Sequence, residues 1–233
     1  MNYAEVIRGL KSRANPKNVE GMARFGINPK NTLGVSMPEL RALAKRTGTN
    51  HALALRLWDS GIHEARILAG LIDDPLLVSE KQMDAWIKDF DSWDVCDQVC
   101  SSLFDQTPFA YAKAFEWSKR KGEFEKRSGF VLMAALSVHD KKAADSKMEK
   151  FLPVIKRESV DGRNFVRKAV NWALRNIGKR NKSLNRSALK TAREIAKLDS
   201  KSARWIASDA IRELESPAVQ KRLDKKAKPK KRS

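Results

Sequence analysis

Segment 92–104 contains the residues whose types and spacing are best suited to catalysis. Its apolar residues recur at helical spacing, and Trp93 and Asp97, four residues apart, both fall at the edge of the apolar stripe. A carboxylate there is partly desolvated and lies beside an indole ring, which is an environment that can hold a carboxylate for chemistry. The alternative is that Asp97 is a rim residue of a core helix, hydrogen-bonded to a neighbouring helix end.

A second segment, 164–177, combines an aromatic residue with cations. Its apolar residues define a buried face, and a helical wheel puts Trp172 on the opposite side. That side also carries four polar residues: Arg167, Lys168, Asn171 and Arg175. An aromatic ring among cations is typical of nucleic-acid binding, because phosphates pair with the cations and the ring contacts sugar or base. The alternative is that the next helix covers Trp172, with the Lys and Arg stems over its ring.

Arg127 opens a predicted apolar helix. Because a cation at a helix start opposes the helix dipole, Arg127 should have an anionic partner. That partner is either a phosphate or a carboxylate of this chain, with Glu123, Glu125 and Asp97 as the candidates. Arg66 has the equivalent position in an earlier helix, and its partner is likewise expected to be either a phosphate or a carboxylate.

The elements that position these residues are helices. Nearly every segment predicts a helix, and no segment shows the period-two alternation of a strand, which indicates an all-α protein. Segments 57–69 and 116–130 share a pattern in which a Trp ends one helix and a Glu-x-Arg opens the next. Such stacked antiparallel helix pairs form a curved α-solenoid with a concave surface. An ordinary helical bundle is the alternative.

The charge of the chain points to a polyanionic partner. The formal net charge is +19 for 233 residues. Residues 221–233 contribute +7, so the remaining residues, 1–220, still carry +12 and are basic in their own right. Nucleic acid is the partner that this charge favours, with an anionic membrane surface or ribosomal RNA as the competitor.

The cysteines and histidines give no sign of a disulfide or a metal site. Cys96 and Cys100 are one helical turn apart on an apolar face and are interpreted as reduced core residues of an intracellular protein. The three histidines, His51, His63 and His139, lack metal-ligand spacing, and no nucleotide-binding motif is present. No apolar run of membrane-spanning length and no secretory signal is visible. We therefore expect a cytoplasmic protein with no metal, cofactor or membrane partner.

Four segments taken together resemble the DNA alkylation repair enzymes of the AlkD family. They are Gly-Val-Ser-Met-Pro-Glu-Leu-Arg at 34–41, Ser-Trp-Asp-Val-Cys-Asp at 92–97, the helix that carries Arg127, and Phe-Val-Arg-Lys-Ala-Val-Asn-Trp-Ala-Leu-Arg at 165–175. The elements Trp-Asp-x-x-Asp and Phe-x-x-Lys-Ala-x-x-Trp-x-Leu-Arg are fairly specific in combination. The match runs in order along nearly the whole chain.

The resemblance implies a curved solenoid of HEAT-like repeats over residues 1–220, with a basic concave face that holds double-stranded DNA. It implies a monofunctional DNA glycosylase that excises positively charged N3- and N7-alkylated purines in base excision repair. The Lys/Arg-rich residues 221–233 are an addition to the family pattern and are predicted to be a disordered tail. The protein is expected to act as a monomer, without a cofactor, at the nucleoid.

The resemblance also assigns roles to individual residues. Asp97 matches the catalytic carboxylate, and Trp93 and Trp172 match the two aromatic residues that flank the lesion nucleotide. Arg127 matches an arginine that contacts the DNA backbone. Four further basic residues are predicted to bind DNA because of their positions in the helices discussed above: Lys168, Arg175, Arg167 and Arg66.

Two other classes of function compete with a glycosylase. One is a non-catalytic HEAT-repeat scaffold for damaged or branched DNA, and the other is a helical-repeat module that binds proteins. A carboxylate at position 97 favours the enzyme over the scaffold, because a pure DNA binder gains nothing from a negative charge that repels phosphate. A protein-binding module predicts little salt-sensitive binding to DNA.

Overall fold

A computed structural model describes residues 1–227, and residues 228–233 lie outside it. The regular elements of the described residues are helices and no strand occurs among them, so the predicted all-α class is confirmed. The chain divides into two compact units, one covering Met1–Ala110 and the other beginning at Tyr111. The prediction of a single domain over residues 1–220 stays a prediction, and the two units are described in turn.

The first unit consists of seven helices joined mostly by short turns. They are α1 (Tyr3–Lys11), α2 (Pro16–Arg24), α3 (Met37–Thr47), α4 (His51–Asp59), α5 (His63–Ile72), α6 (Glu80–Trp86) and α7 (Trp93–Ser102). The pattern Ser-x-x-Glu at 36–39 predicts a helix start with Ser36 as the N-cap residue, and α3 confirms it. The Glu39 carboxylate accepts hydrogen bonds from the backbone N–H and the hydroxyl of Ser36, at 3.1 and 2.6 Å. These contacts give hydrogen-bond partners to polar groups that have none within the helix at its N-terminus.

Aromatic packing forms much of the core between α4 and α6. The ring of Trp58 stacks on that of Trp86 with centroids 3.9 Å apart and the planes nearly parallel. Phe90 meets Trp58 edge-on, and Phe104 packs on Trp86. The indole N–H of Trp58 donates to the carboxylate of Asp89 at 2.8 Å, so its polar atom is satisfied within the core.

A buried carboxylate holds the loop that precedes α3. Glu64, in the first turn of α5, is 1% exposed. It accepts hydrogen bonds at 2.8, 2.6 and 3.3 Å from the backbone N–H groups of Leu33, Gly34 and Val35. Gly34 has a φ of +79°, and a Cβ there would lie 2.2 Å from the carbonyl oxygen of Asn15. Only glycine fits this position, which explains the glycine of the 34–41 motif.

The second unit contains eight helices, which include the four longest among residues 1–227. They are α8 (Ala110–Trp117, which starts at the boundary), α9 (Glu123–His139), α10 (Asp145–Glu149), α11 (Leu152–Glu158), α12 (Asn164–Gly178), α13 (Lys182–Ile195), α14 (Lys201–Leu214) and α15 (Pro217–Ala227). The apolar spacing predicts a single helix over 145–156, which is wrong. The structure has two helices here, because α10 ends at Glu149 and Pro153 lies in the first turn of α11, where proline is favoured. The helix that carries Arg127 is predicted over 125–138 and observed as α9 over 123–139, so Arg127 lies in its second turn and not at its start.

Gly129 allows α8 and α9 to approach closely. A Cβ on Gly129 would lie 2.5 Å from the backbone nitrogen of Ser118 and 2.9 Å from the carbonyl oxygen of Ala114. The end of α8 therefore rests directly on the backbone of α9. The neighbouring Ser128 is fully buried, and its hydroxyl donates to the carbonyl of Phe124 at 2.8 Å.

The prediction of disorder is wrong for residues 221–227. Residues 221–227 continue α15, and Leu223 on this helix is 1% exposed. The helix forms because its apolar residues Val219 and Leu223, one turn apart, are both buried, which orders the basic residues between and after them. The rest of the predicted tail, 228–233, lies outside the described residues.

Candidate functional site

Helix α7 positions the two residues of the predicted Trp93–Asp97 pair. A serine directly before the helical pattern predicts an N-cap at Ser92. Ser92 is the N-cap residue and has an extended backbone, but its side chain makes no hydrogen bond to the helix. The buried hydroxyl of Ser92 instead accepts a hydrogen bond from the backbone N–H of Asn28 at 2.9 Å. The start of α7 is therefore tied to the loop that follows α2.

Trp93 and Asp97 are both half-buried, at the edge of the buried stripe that the sequence predicts. That stripe consists of Val95, Cys96, Val99 and Cys100, and the two cysteines are buried thiols. The indole N–H of Trp93 donates to the carbonyl oxygen of Phe25 at 3.1 Å, which holds the ring against the end of α2. The backbone carbonyl oxygen of Asp97 accepts a hydrogen bond from the Ser101 hydroxyl at 2.6 Å. The first unit thus brings together the aromatic residue and the carboxylate on one face of one helix.

A cleft of about 810 Å³ opens beside Trp93 in the first unit. Met22, Phe25 and Met37 contribute to its apolar walls, and Phe25 is 75% exposed. Asp97 does not line this cleft. No sequence pattern predicted it, because its walls come from α2, α3, α5 and α7, which are far apart along the chain.

A buried histidine links α5 to the first turn of α7. The side chain of His63 is 3% exposed, and its Nε2 lies 2.8 Å from the carboxylate of Asp94. Burial lowers the pKa of His63, but the hydrogen bond and charge of Asp94, aided by the charges of Glu64 and Asp91, outweigh it, so the pKa is raised above the ordinary value of 6.5. The protonated His63 therefore stabilises the helix that carries Trp93 and Asp97.

The raised pKa of His63 predicts that the protein loses stability as the pH rises. Because the folded state holds the proton more tightly than the unfolded chain, the contribution is complete below about pH 6.5 and is lost as the pH rises through the raised pKa. We expect the difference in Tm between the wild type and His63→Gln to shrink from about pH 5.5 to about pH 8.5. Asp94→Asn should reduce the same dependence. A difference in Tm that is constant over this range would contradict the assignment.

The polar side of α12 lies largely against α14, which corrects the predicted solvent face. The guanidinium of Arg167 lies over the ring of Trp205 on α14, 5.0 Å from its centroid. Asn171 is 1% exposed, and its amide donates to the carboxylate of Asp209 at 2.7 Å. A helical wheel cannot distinguish a polar face that meets water from one that meets the polar face of another helix.

The same contact with α14 continues along α12 for two more turns. Arg175 forms ion pairs with Asp209, at 3.4 Å, and with Glu213. Lys179, the residue after α12, pairs with Glu213 at 2.6 Å. Burial raises the pKa of Glu213, but the hydrogen bond from Lys179 and the charge of Arg175 lower it overall, so this carboxylate stays ionised at neutral pH.

Lys168 and Trp172 lie on the polar side of α12, beside the residues that contact α14. Lys168 is exposed and forms no ion pair within residues 1–227. Trp172 is half-buried, one turn further along, and no hydrogen bond or ring contact joins it to another residue in the described part of the chain. A cation and an indole at this spacing can bind a phosphate and an adjacent sugar or base together.

Arg127 and Arg66 make similar contacts in their respective units. Arg127 is 5% exposed, and its guanidinium donates to the carbonyl oxygen of Phe165, in the first turn of α12, at 2.5 Å. Arg66 donates to the carbonyl of Asp89 at 3.0 Å, lies 3.7 Å from the carboxylate of the same residue, and stacks over Trp58. Each arginine therefore ties its helix to a later segment, whatever else it binds.

The residues that the structure describes form no metal site. Within residues 1–227 no group of three or more His, Cys, Asp or Glu side chains is arranged to hold a metal ion. In the same part of the chain, no helix is both long enough and apolar enough to cross a bilayer.

The helical fold can be compared with solved structures. One of them, described as "A new family of proteins related to the HEAT-like repeat DNA glycosylases with affinity for branched DNA structures", aligns with a TM-score of 0.77 and 21% identity, and the alignment covers 97% of this chain and 95% of that one. A designed armadillo repeat protein in complex with the peptide (KR)4 aligns with a TM-score of 0.38 and 13% identity, over 81% and 80% of the two chains. The first comparison defines an all-α protein of the HEAT-like repeat class.

The sequence identifies the family within that class. Residues 6–214 match the family model described as "DNA alkylation repair enzyme". Because the match spans nearly the whole chain, the protein belongs to the DNA alkylation repair enzyme family, and the predicted resemblance is confirmed at the level of the family. A search of curated proteins gives no match.

Proposed function

We propose that this protein is a DNA glycosylase that removes positively charged N3- and N7-alkylated purines from double-stranded DNA. The observation that carries the proposal is the pairing of a half-buried carboxylate, Asp97, with Trp93 one turn earlier on α7, in a chain of the DNA alkylation repair enzyme family. A net charge of +19 supports DNA as the partner. We further propose that the protein acts as a monomer inside the cell, where its substrate is.

The chemistry follows from the charge of the lesion. An N7-alkylpurine is cationic, so its glycosidic bond is weakened, and the bonding electrons leave with the base. The sugar left behind resembles an oxocarbenium ion. Asp97 would stabilise that positive charge and orient a water molecule towards C1′, accepting its proton as the new C–O bond forms. The electron-rich face of Trp93 favours the cationic lesion and the cationic sugar.

Lys168 and Trp172 are the DNA contacts that the geometry of the second unit supports best. Lys168 offers an exposed ammonium group to a phosphate, and Trp172 offers an indole for the nucleotide beside it. Arg127 and Arg66 stay predicted backbone contacts. Arg167 and Arg175 also stay predictions, but each would have to leave its partner on α14 to reach a phosphate.

The test is the release of free base from a duplex that contains N7-methylguanine. We expect the wild-type protein, without added metal or cofactor, to release 7-methylguanine faster than the spontaneous reaction and to leave an abasic site with the strand intact. A nicked strand would contradict a monofunctional enzyme. Absence of release under conditions in which the protein binds the duplex would overturn the glycosylase proposal.

A second candidate is a scaffold that binds branched DNA without cutting it. The observation in its favour is the fold comparison, since the solved structure with a TM-score of 0.77 is described as having affinity for branched DNA structures. This candidate predicts tighter binding to a four-way junction than to a duplex of equal length, and no release of base. Measuring both quantities on the same preparation separates the two functions.

A further inference from the structure

A cationic pocket of about 610 Å³ lies in the second unit, where α9 and α12 end against α15. Its charged lining consists of five basic residues and one acidic residue: Lys141, Lys179, Arg180, Arg222, Lys226 and Asp145. None of the residues predicted to bind DNA lines it. The pocket is therefore a feature that the proposed function does not use.

Most of the positive charge in this pocket is not balanced. Asp145 is engaged by the amide of Asn181, at 2.8 and 3.0 Å, and Lys179 is paired with Glu213. The other four cations form no ion pair with any residue between 1 and 227. A concave surface of this kind has a strongly positive potential and attracts anions.

Two of these cations are held in place by neutral groups. The guanidinium of Arg180 donates to the carbonyl oxygens of Ser137 and Ala143, at 3.1 and 2.8 Å. The ammonium of Lys226 donates to the carbonyls of Lys179 and Arg180, at 3.1 Å each. Backbone carbonyls fix the positions of these groups without neutralising their charge.

The crowding of like charges is visible at Lys226. Partial burial, together with the charges of Arg222 and Arg180, lowers the pKa of its ammonium group. An anion bound among these side chains would relieve the repulsion that they now exert on one another. Guanidinium and ammonium groups together suit phosphate oxygens, since each can donate a charge-assisted hydrogen bond.

We propose that this pocket binds a phosphate group of the DNA backbone and so extends the DNA-binding surface beyond Trp172. The proposal rests on the proposed function only in taking DNA as the source of the phosphate. Lys179 lies seven residues beyond Trp172 and on the same side of the helix, which is about 10 Å along its axis. That distance corresponds to roughly three base steps of B-DNA. For a duplex that runs parallel to α12, the phosphate in the pocket would be about three nucleotides from the nucleotide that Trp172 contacts.

The test uses the double variant Lys141→Gln/Arg222→Gln, because both side chains are exposed and neither forms an ion pair in the described chain. We expect the slope of the logarithm of duplex affinity against the logarithm of salt concentration to fall by about 1–2, with a roughly 10-fold loss of affinity at low salt. The control is Arg186→Gln/Lys190→Gln, which removes the same charges from exposed positions on α13 that do not line the pocket. The control should change the slope by much less.

Three results would separate the possibilities. Equal slopes for the two double variants would overturn the proposal. An increase in the Tm of the wild type with inorganic phosphate, lost in the pocket variant while the DNA slope is unchanged, would show a site for free phosphate and also overturn it. A reduced slope in a protein that releases no 7-methylguanine would support the pocket while the glycosylase proposal fails.

Discussion

Replacing Asp97 with asparagine is expected to slow the release of 7-methylguanine by at least about 100-fold, with duplex binding retained. The amide has nearly the same shape as the carboxylate, so the half-buried edge of α7 should keep its packing. It lacks the negative charge that balances the oxocarbenium-like sugar, and it accepts a proton from water poorly. Because a carboxylate near phosphates opposes binding, the variant should bind duplex DNA at least as tightly as the wild type.

The matched control for Asp97→Asn is Asp199→Asn. Asp199 is fully exposed, and its replacement also removes one negative charge from the chain. The control should therefore reproduce any general effect of charge on DNA affinity and leave the rate of base release unchanged. Single-turnover rates with enzyme in excess give the comparison without interference from product release. Equal rates for the wild type and Asp97→Asn would rule out Asp97 as the catalytic carboxylate.

Replacement of Gly129 by alanine is expected to destabilise the protein by about 1–3 kcal/mol. The new methyl group would lie 2.5 Å from the backbone nitrogen of Ser118, so α8 and α9 must move apart. The two atoms that the methyl group would approach are the nitrogen of Ser118 and the carbonyl oxygen of Ala114. Both belong to the backbone, which cannot relax as a flexible side chain does. For a protein of this size, each kcal/mol corresponds to a change in Tm of roughly 2–4 °C.

Gly21→Ala is the matched control for this substitution. Gly21 also lies in a helix, α2, but a Cβ at this position meets no atom within 4 Å. The change should stabilise the protein by about 0.5–1 kcal/mol, because alanine loses less conformational freedom than glycine when a helix forms. Opposite shifts in Tm for the two variants are the expected result. Shifts of the same sign would contradict the close contact between α8 and α9.

Local patterns predicted the helices better than they predicted what covers them. The bounds of α12 agree with the sequence, since its apolar residues repeat without interruption from Val166 to Ile177. The polar face of α12 was misjudged, because Arg167, Asn171 and Arg175 look like a solvent face until α14 is placed beside them. The complementary acidic residues lie more than thirty positions away in the chain, and no local pattern connects the two helices.

The same reason explains which parts of the candidate site were predicted. Trp93 and Asp97 share one helix, so their spacing alone places them on one face. The cationic pocket joins the ends of α9 and α12 to α15, and its residues come from three separate stretches of sequence, 137–145, 176–181 and 222–226. Composition revealed an excess of basic residues but could not show where the fold collects them.

The buried carboxylate of Glu64 sets a lower limit on the size of a functional fragment. Glu64 lies on α5, and its three hydrogen-bond donors belong to the segment before α3. Trp93 and Asp97 lie on α7, which packs against α5. A shortened protein that starts after Val35 would leave a charge inside the first unit with its donors removed, at a cost of several kcal/mol. The segment at 33–35 is therefore not separable from the first unit, and the smallest fragment that retains α7 in place must include it.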